Sequence, residues 1–120
     1  MGWESEYMNN KVYFYKTISK KEIVVDFIDK LDVISKVKTR NGLRLLEEYG
    51  LDLLRTKWIK KVCKNPVVYE LRIVSKKQIR LLFIEVEKNI FLVVNIFVKK
   101  SQKLPKREFK MAIKRVGEFI

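Results

Sequence analysis

Residues 67–98 read VVYELRIVSKKQIRLLFIEVEKNIFLVVNIFV. Three runs, Val67 to Ile73, Ile79 to Val86 and Ile90 to Val98, are dense in β-branched and aromatic residues, the composition of strands. The joins between them, 74–78 and 87–89, are short enough for hairpins, so the three runs form an antiparallel meander. In the last run only Asn95 interrupts the apolar residues, which marks a central strand covered on both faces.

Side chains alternate along a strand, so the faces follow from the sequence. Tyr69, Leu71 and Ile73 share one face, which puts Glu70 and Arg72 on the other. On the next run Ile79, Leu81 and Phe83 share a face and Arg80 opposes them. If both apolar sets meet the same layer, Arg72 and Arg80 point together to the far side, and a three-residue loop sets them directly opposite. Like charges so placed cost a few tenths to about 1 kcal/mol unless an anion lies between them. Glu70 is the candidate internal counter-ion and an RNA phosphate the candidate ligand. A ladder of Glu70–arginine ion pairs on a solvated face is the plainer alternative.

Upstream, Val12 to Tyr15 reads as a short strand. Thr17-Ile18-Ser19 opens a helix, with Ser19 and Glu22 matching a capping box. Ile23, Phe27, Leu31 and Ile34, widened by Val24 and Ile28, form one apolar stripe. A second helix is expected from Asn41 to Tyr49, with Leu43, Leu46 and Tyr49 inward and Gly50 as a left-handed stop. Leu51 to Lys64 mixes Leu53, Leu54, Trp58 and Ile59 with lysines and has no clear period, and Pro66 ends it.

Downstream, Lys99 and Lys100 leave the last strand, and Lys103, Lys106 and Arg107 follow. Pro105 suits a first helical position, and Phe109, Ile113 and Val116 line one side of the closing helix. From Lys99 to Arg115 eight basic residues stand against one acid, Glu108. The expected class is α+β. A small antiparallel sheet, the first short strand plus the meander, packs on an N-terminal helical hairpin, with a C-terminal helix added. Residues 11–120 read as a single domain and residues 1–10 as a flexible N-terminal extension.

Composition narrows the chemistry. With 120 residues, 48% apolar, seven Phe and five Tyr, the chain can bury one sizeable core. The formal charge of +13 points to a polyanionic partner, whether RNA, DNA, an acidic protein or an anionic membrane. General lysine richness is the bland alternative. The single Cys63 excludes an internal disulfide and a cysteine metal cage. The absence of histidine excludes Ser-His-Asp triads, common zinc sites and a histidine-pair route to RNA cleavage. No apolar run approaches the roughly 18 residues of a membrane span, and the start lacks the order of a signal peptide, so a cytoplasmic protein is expected.

Several segments in order resemble the RelE/ParE toxin superfamily, in particular its HigB-like branch from bacterial and phage toxin–antitoxin pairs. They are Val68-Tyr69-Glu70-Leu71-Arg72, Arg80-Leu81-Leu82-Phe83, Phe97-Val98-Lys99-Lys100-Ser101-Gln102-Lys103, and Pro105-Lys106-Arg107-Glu108. Leu45-Leu46-Glu47-Glu48-Tyr49-Gly50 resembles the end of that family's helical hairpin.

The resemblance implies a ribosome-dependent endoribonuclease that cuts messenger RNA in the ribosomal A site. It also implies a cognate antitoxin, often a helix-turn-helix protein of the HigA type. It matches Arg72, Arg80 and Lys99 or Lys100 to the catalytic cations of the concave sheet face. Lys76, Lys77, Lys103, Lys106 and Arg107 are the accompanying RNA-binding candidates. Cleavage is expected by attack of a ribose 2′-hydroxyl on the adjacent phosphate, with Lys99, Lys100 or Glu70 as candidate base; no metal or cofactor is required. The chain departs from relatives in three ways. It has no tyrosine from Lys99 to Ile120, Leu104 replaces the threonine common before the helical proline, and histidines are absent. Two alternatives stay open: a ParE-type gyrase-directed toxin and a non-catalytic nucleic-acid-binding module.

Overall fold

A computed structural model describes residues 10–119. The extension expected at residues 1–10 lies outside them, save for Asn10, which is buried and donates to the Glu47 carbonyl at 3.0 Å. The elements are β1 (Lys11–Phe14), α1 (Ile23–Asp29), α2 (Val33–Tyr49), a 3-10 turn (Gly50–Arg55), β2 (Ile59–Lys64), β3 (Val67–Val74), β4 (Gln78–Glu87), β5 (Ile90–Val98) and α3 (Lys106–Phe119). The α+β class and the β3–β4–β5 meander are as expected.

The strands lie in the order β1-β5-β4-β3-β2. The sheet is mixed, not wholly antiparallel, because β1 runs parallel beside β5. β4, not β5, is the middle strand, although β5 is buried on both faces. β2 is an unexpected fifth strand paired with β3. Its apolar signal is broken by Lys60, Lys61 and Lys64, charges of the kind that protect an exposed sheet edge.

One sheet face carries Tyr69, Leu71, Ile73, Ile79, Leu81, Phe83, Phe91 and Val93 against Val24, Ile28, Leu43 and Leu46 of α1 and α2. The other carries Val68, Leu82, Ile84, Leu92 and Val94 against Ala112 and Val116 of α3. Each fully buried Leu, Ile or Phe contributes roughly 1.5–3 kcal/mol, so these two layers dominate stability. They also fix which way the polar residues between them point.

The helical hairpin differs in detail from the sequence reading. α1 starts at Ile23 without a side-chain cap, and Ser19 bonds the Thr17 hydroxyl at 3.0 Å, so the Ser19–Glu22 capping box does not form. Asp32 ends the stripe early by capping a new helix, its carboxylate accepting from Ser35 N at 3.0 Å. Ile34 therefore falls on α2, half exposed, and Tyr49 also faces out.

Leu43 and Leu46 of α2 point inward as expected, and small residues bring the helix close to the sheet beside them. Ser35 and Thr39 are buried, and a Cβ at Gly42 would come within 2.3 Å of Ile73 Cδ1. Gly50 does end α2 in a positive-φ conformation, at φ 55°. α3 begins one residue after Pro105, whose carbonyl accepts from Phe109 N at 3.0 Å. No helix among the described residues is long and apolar enough to cross a membrane.

Candidate nucleic-acid interface

The β3–β4 register pairs Arg72 directly with Arg80. Both belong to the sheet face that meets α3, at the end α3 leaves open. Glu70 lies two residues from Arg72 on the same face and is only 2% exposed. Its Oε1 sits 2.9 Å from Arg72 Nε and 3.9 Å from Arg80 Nε. One buried carboxylate thus serves two guanidinium groups, which leaves the trio with a net positive charge.

Arg80 is the more buried of the two arginines, at 8% exposure. Its Nη1 donates to the Ile79 carbonyl and its Nη2 to Gln78 Oε1, each at 3.1 Å. Its Nε has no hydrogen-bond partner. Burial pushes the Arg80 pKa below its ordinary value, Glu70 opposes that shift and the Arg72 charge adds to it. Nε itself is closed off from solvent and faces Glu70, so an anion would reach Arg80 only through the groove that its side chain lines. There it would offset the charge that Glu70 shares with Arg72.

Two grooves meet at Arg80. One, of about 480 Å³, is lined by Gln78, Arg80, Lys99, Lys100, Ser101 and Gln102. The other, of about 410 Å³, is lined by Lys57, Trp58, Arg72, Val74 and Arg80. Lys99 is fixed at the groove wall because its backbone N–H donates to the Gln78 carbonyl at 2.7 Å. A larger concavity, about 620 Å³, lies elsewhere, by β1 and the end of α3. Tyr13, Ile18 and Phe119 help line it, and it holds no arginine.

The expected residues divide accordingly. Glu70, Arg72, Arg80, Lys99 and Lys100 come together around the paired grooves. Lys76 and Lys77 sit at the β3–β4 hairpin tip, and Lys77 lies 3.7 Å from Asp32 at the start of α2, towards the helical layer. Lys103, Lys106 and Arg107 are exposed on the approach to α3 and its first turn, outside the groove linings. The sequence reading missed Lys57, Trp58 and Gln78. An aromatic residue with basic neighbours just ahead of Ile59 was the available signal, hidden because β2 was not recognised.

α3 is fastened so that it leaves the grooves unneutralised. Asn95 Nδ2 donates to the Glu108 carbonyl at 2.9 Å and to Glu108 Oε1 at 3.1 Å. The lone acid of the basic tract is therefore held against β5. Arg115 Nη1 donates to the Val94 carbonyl at 2.7 Å, and its guanidinium lies 4.8 Å from the Tyr15 ring centroid. Arg115 is thus a structural cation. Among the described residues, no group of three or more Cys, Asp or Glu residues is placed to hold a metal ion.

Residues 26–117 match the family described as Phage derived protein Gp49-like (DUF891). The match takes in every cation of the paired grooves. No curated protein matches the chain. The chain belongs to the Gp49-like family, which lies in the RelE/ParE-like toxin superfamily.

Proposed function

We propose that this Gp49-like chain is the toxin of a toxin–antitoxin pair and cuts messenger RNA on the ribosome. The observation that carries the reading is the Arg72–Arg80 pair, set opposite each other with the single carboxylate of Glu70 between two guanidinium groups, and Lys99 and Lys100 lining the groove beside Arg80. Family membership supports a toxin-like module with an antitoxin partner.

In this mechanism a ribose 2′-hydroxyl attacks the adjacent phosphorus. The bond from phosphorus to the 5′-oxygen breaks, leaving a 2′,3′-cyclic phosphate and a 5′-hydroxyl that takes up a proton. Arg80 and Arg72 hold the phosphate oxygens, since a guanidinium fork matches their geometry and stays charged. Their charge is worth most on the crowded pentacoordinate phosphate. Glu70, buried and bound to Arg72, orients the arginines and does not reach a ribose. The base then falls to Lys99 or Lys100. Neither histidine nor a phenol stands in the groove linings, so the ribosome's positioning of the message carries much of the rate.

Expression without an antitoxin, with transcript 5′ ends mapped in translating cells, tests the proposal. Cuts within reading frames, with free RNA left mostly intact by the purified protein and all cutting lost in Arg80→Ala, are expected. Growth arrest with intact messages would defeat the reading. A DNA-damage response would then indicate a gyrase-directed toxin, and unimpaired growth a non-catalytic binding module.

A further inference from the structure

We propose that Trp58 is a base-stacking residue, its indole forming an apolar wall for an unpaired nucleobase whose phosphate sits on Arg72 and Arg80. The inference rests on the RNA-cleaving reading above and names the part of the substrate that the cations do not read.

Trp58 is placed by the β2–β3 ladder. Its carbonyl accepts from Arg72 N at 2.8 Å, so it stands beside Arg72 across the strand pair. Its own N–H donates to Thr56 Oγ1 at 3.0 Å, which fixes the backbone where the 3-10 turn enters β2. One edge of the ring is backed by α2, since a Cβ built at Gly42 would lie 3.5 Å from Cζ3. The indole is only half-buried and also lines the 410 Å³ groove with Lys57, Arg72, Val74 and Arg80.

Trp58 also packs on the core of the helical face and lines a second groove there with Lys38, Asn41 and Arg44, so it stands at the sheet edge. The part of its ring left accessible beside Lys57, Arg72 and Arg80 is apolar surface among three cations. It suits single-stranded nucleic acid, which offers a charged backbone and a flat base on each residue. Every base has a π face, so such a wall accepts any base and adds affinity without sequence reading. Arg72 and Arg80 fix the backbone, and Trp58 fixes the base next to it. The substrate class is thus RNA with at least one unstacked base beside the cleaved bond.

The chain has two tryptophans, so Trp3→Phe leaves Trp58 as the sole indole reporter. In that background, a short single-stranded oligoribonucleotide and an abasic strand of equal length are titrated, with binding followed separately by the anisotropy of a label on each strand. Both strands are expected to bind, and only the base-bearing strand to quench Trp58 strongly. Trp58→Leu should weaken the base-bearing strand by about tenfold or more and the abasic strand little, while Trp58→Phe keeps most of the affinity.

Binding of the base-bearing strand without quenching would overturn the proposal while leaving the cationic interface standing. Equal weakening of both strands by Trp58→Leu would overturn it too, by showing a purely structural role. Failure of both strands to bind the folded protein would remove the RNA reading and this inference together.

Discussion

Arg72 and Arg80 face each other across the β3–β4 pair, and one buried carboxylate, Glu70, lies 2.9 Å from the first and 3.9 Å from the second. Two cations and one anion at such a spot are stable only while the anion remains. Glu70→Gln is expected to cost on the order of 3 kcal/mol in urea unfolding, because it leaves buried positive charge uncompensated. Adding Arg80→Met to Glu70→Gln should restore part of that loss, giving a non-additive cycle. A cost below about 0.5 kcal/mol for Glu70→Gln, in the range of an ordinary surface change, would show that the carboxylate does not hold the pair.

Asn95 ties the first turn of α3 to β5 through Glu108 and also lies 3.3 Å from Arg115 Nη1. Asn95→Ala should cost about 1–3 kcal/mol, the penalty for orphaning buried partners. Amide exchange in residues 106–109 should quicken while β3 and β4 stay protected. Unchanged exchange there would mean that α3 is held by its apolar face and Arg115 without help from Asn95.

Gly42 crosses the sheet at Ile73, where an added Cβ would fall 2.3 Å from Cδ1. Alanine gains up to about 1 kcal/mol of helix propensity over glycine, yet overpacking a tight core costs about 1–3 kcal/mol. Gly42→Ala is therefore expected to lower the melting temperature, and Ile73→Val in that background to recover part of the loss by removing the clashing methyl. A Gly42→Ala protein as stable as the parent would show that the helix and sheet separate at no cost.

The Asp32 cap gives a pH signature. Hydrogen bonds from Ser35 hold its carboxyl below the ordinary value of 3.8, and Lys77 adds to the shift. A pKa depressed in the folded state stabilises fully above the unfolded value and is lost as pH falls through the folded one. The melting temperature of the parent should exceed that of Asp32→Ala most near neutral pH, with the gap narrowing below pH 3.8. Asp32→Asn, which caps without titrating, should abolish the pH dependence of the gap. A gap constant from pH 7 to pH 2.5 would contradict the ionised cap.

The meander was legible because period-two alternation and short joins leave little choice of register. That alone placed Arg72 opposite Arg80. The helical layer was legible only in part: Leu43 and Leu46 point inward as read, but α2 also packs through Ser35, Thr39 and Gly42, whose smallness matters more than their polarity. The large apolar residues Ile34 and Tyr49 point outward instead. β2 was hidden by its edge lysines, and with it Lys57 and Trp58. The capture of Glu108 by Asn95 depends on how α3 lies across β5, a relationship between distant residues that no local pattern announces.

The central claim is that the paired grooves seat an RNA backbone on Arg72, Arg80, Lys99 and Lys100. Its most direct test is the affinity for a short single-stranded RNA measured against salt concentration, in the parent and in Arg80→Ala and Lys99→Ala. Each phosphate contact on a single strand contributes a slope of about −0.7 in log affinity against log salt. Each substitution is expected to make the slope shallower by about 0.7. Slopes identical in the parent and both variants would place the RNA elsewhere and contradict the account.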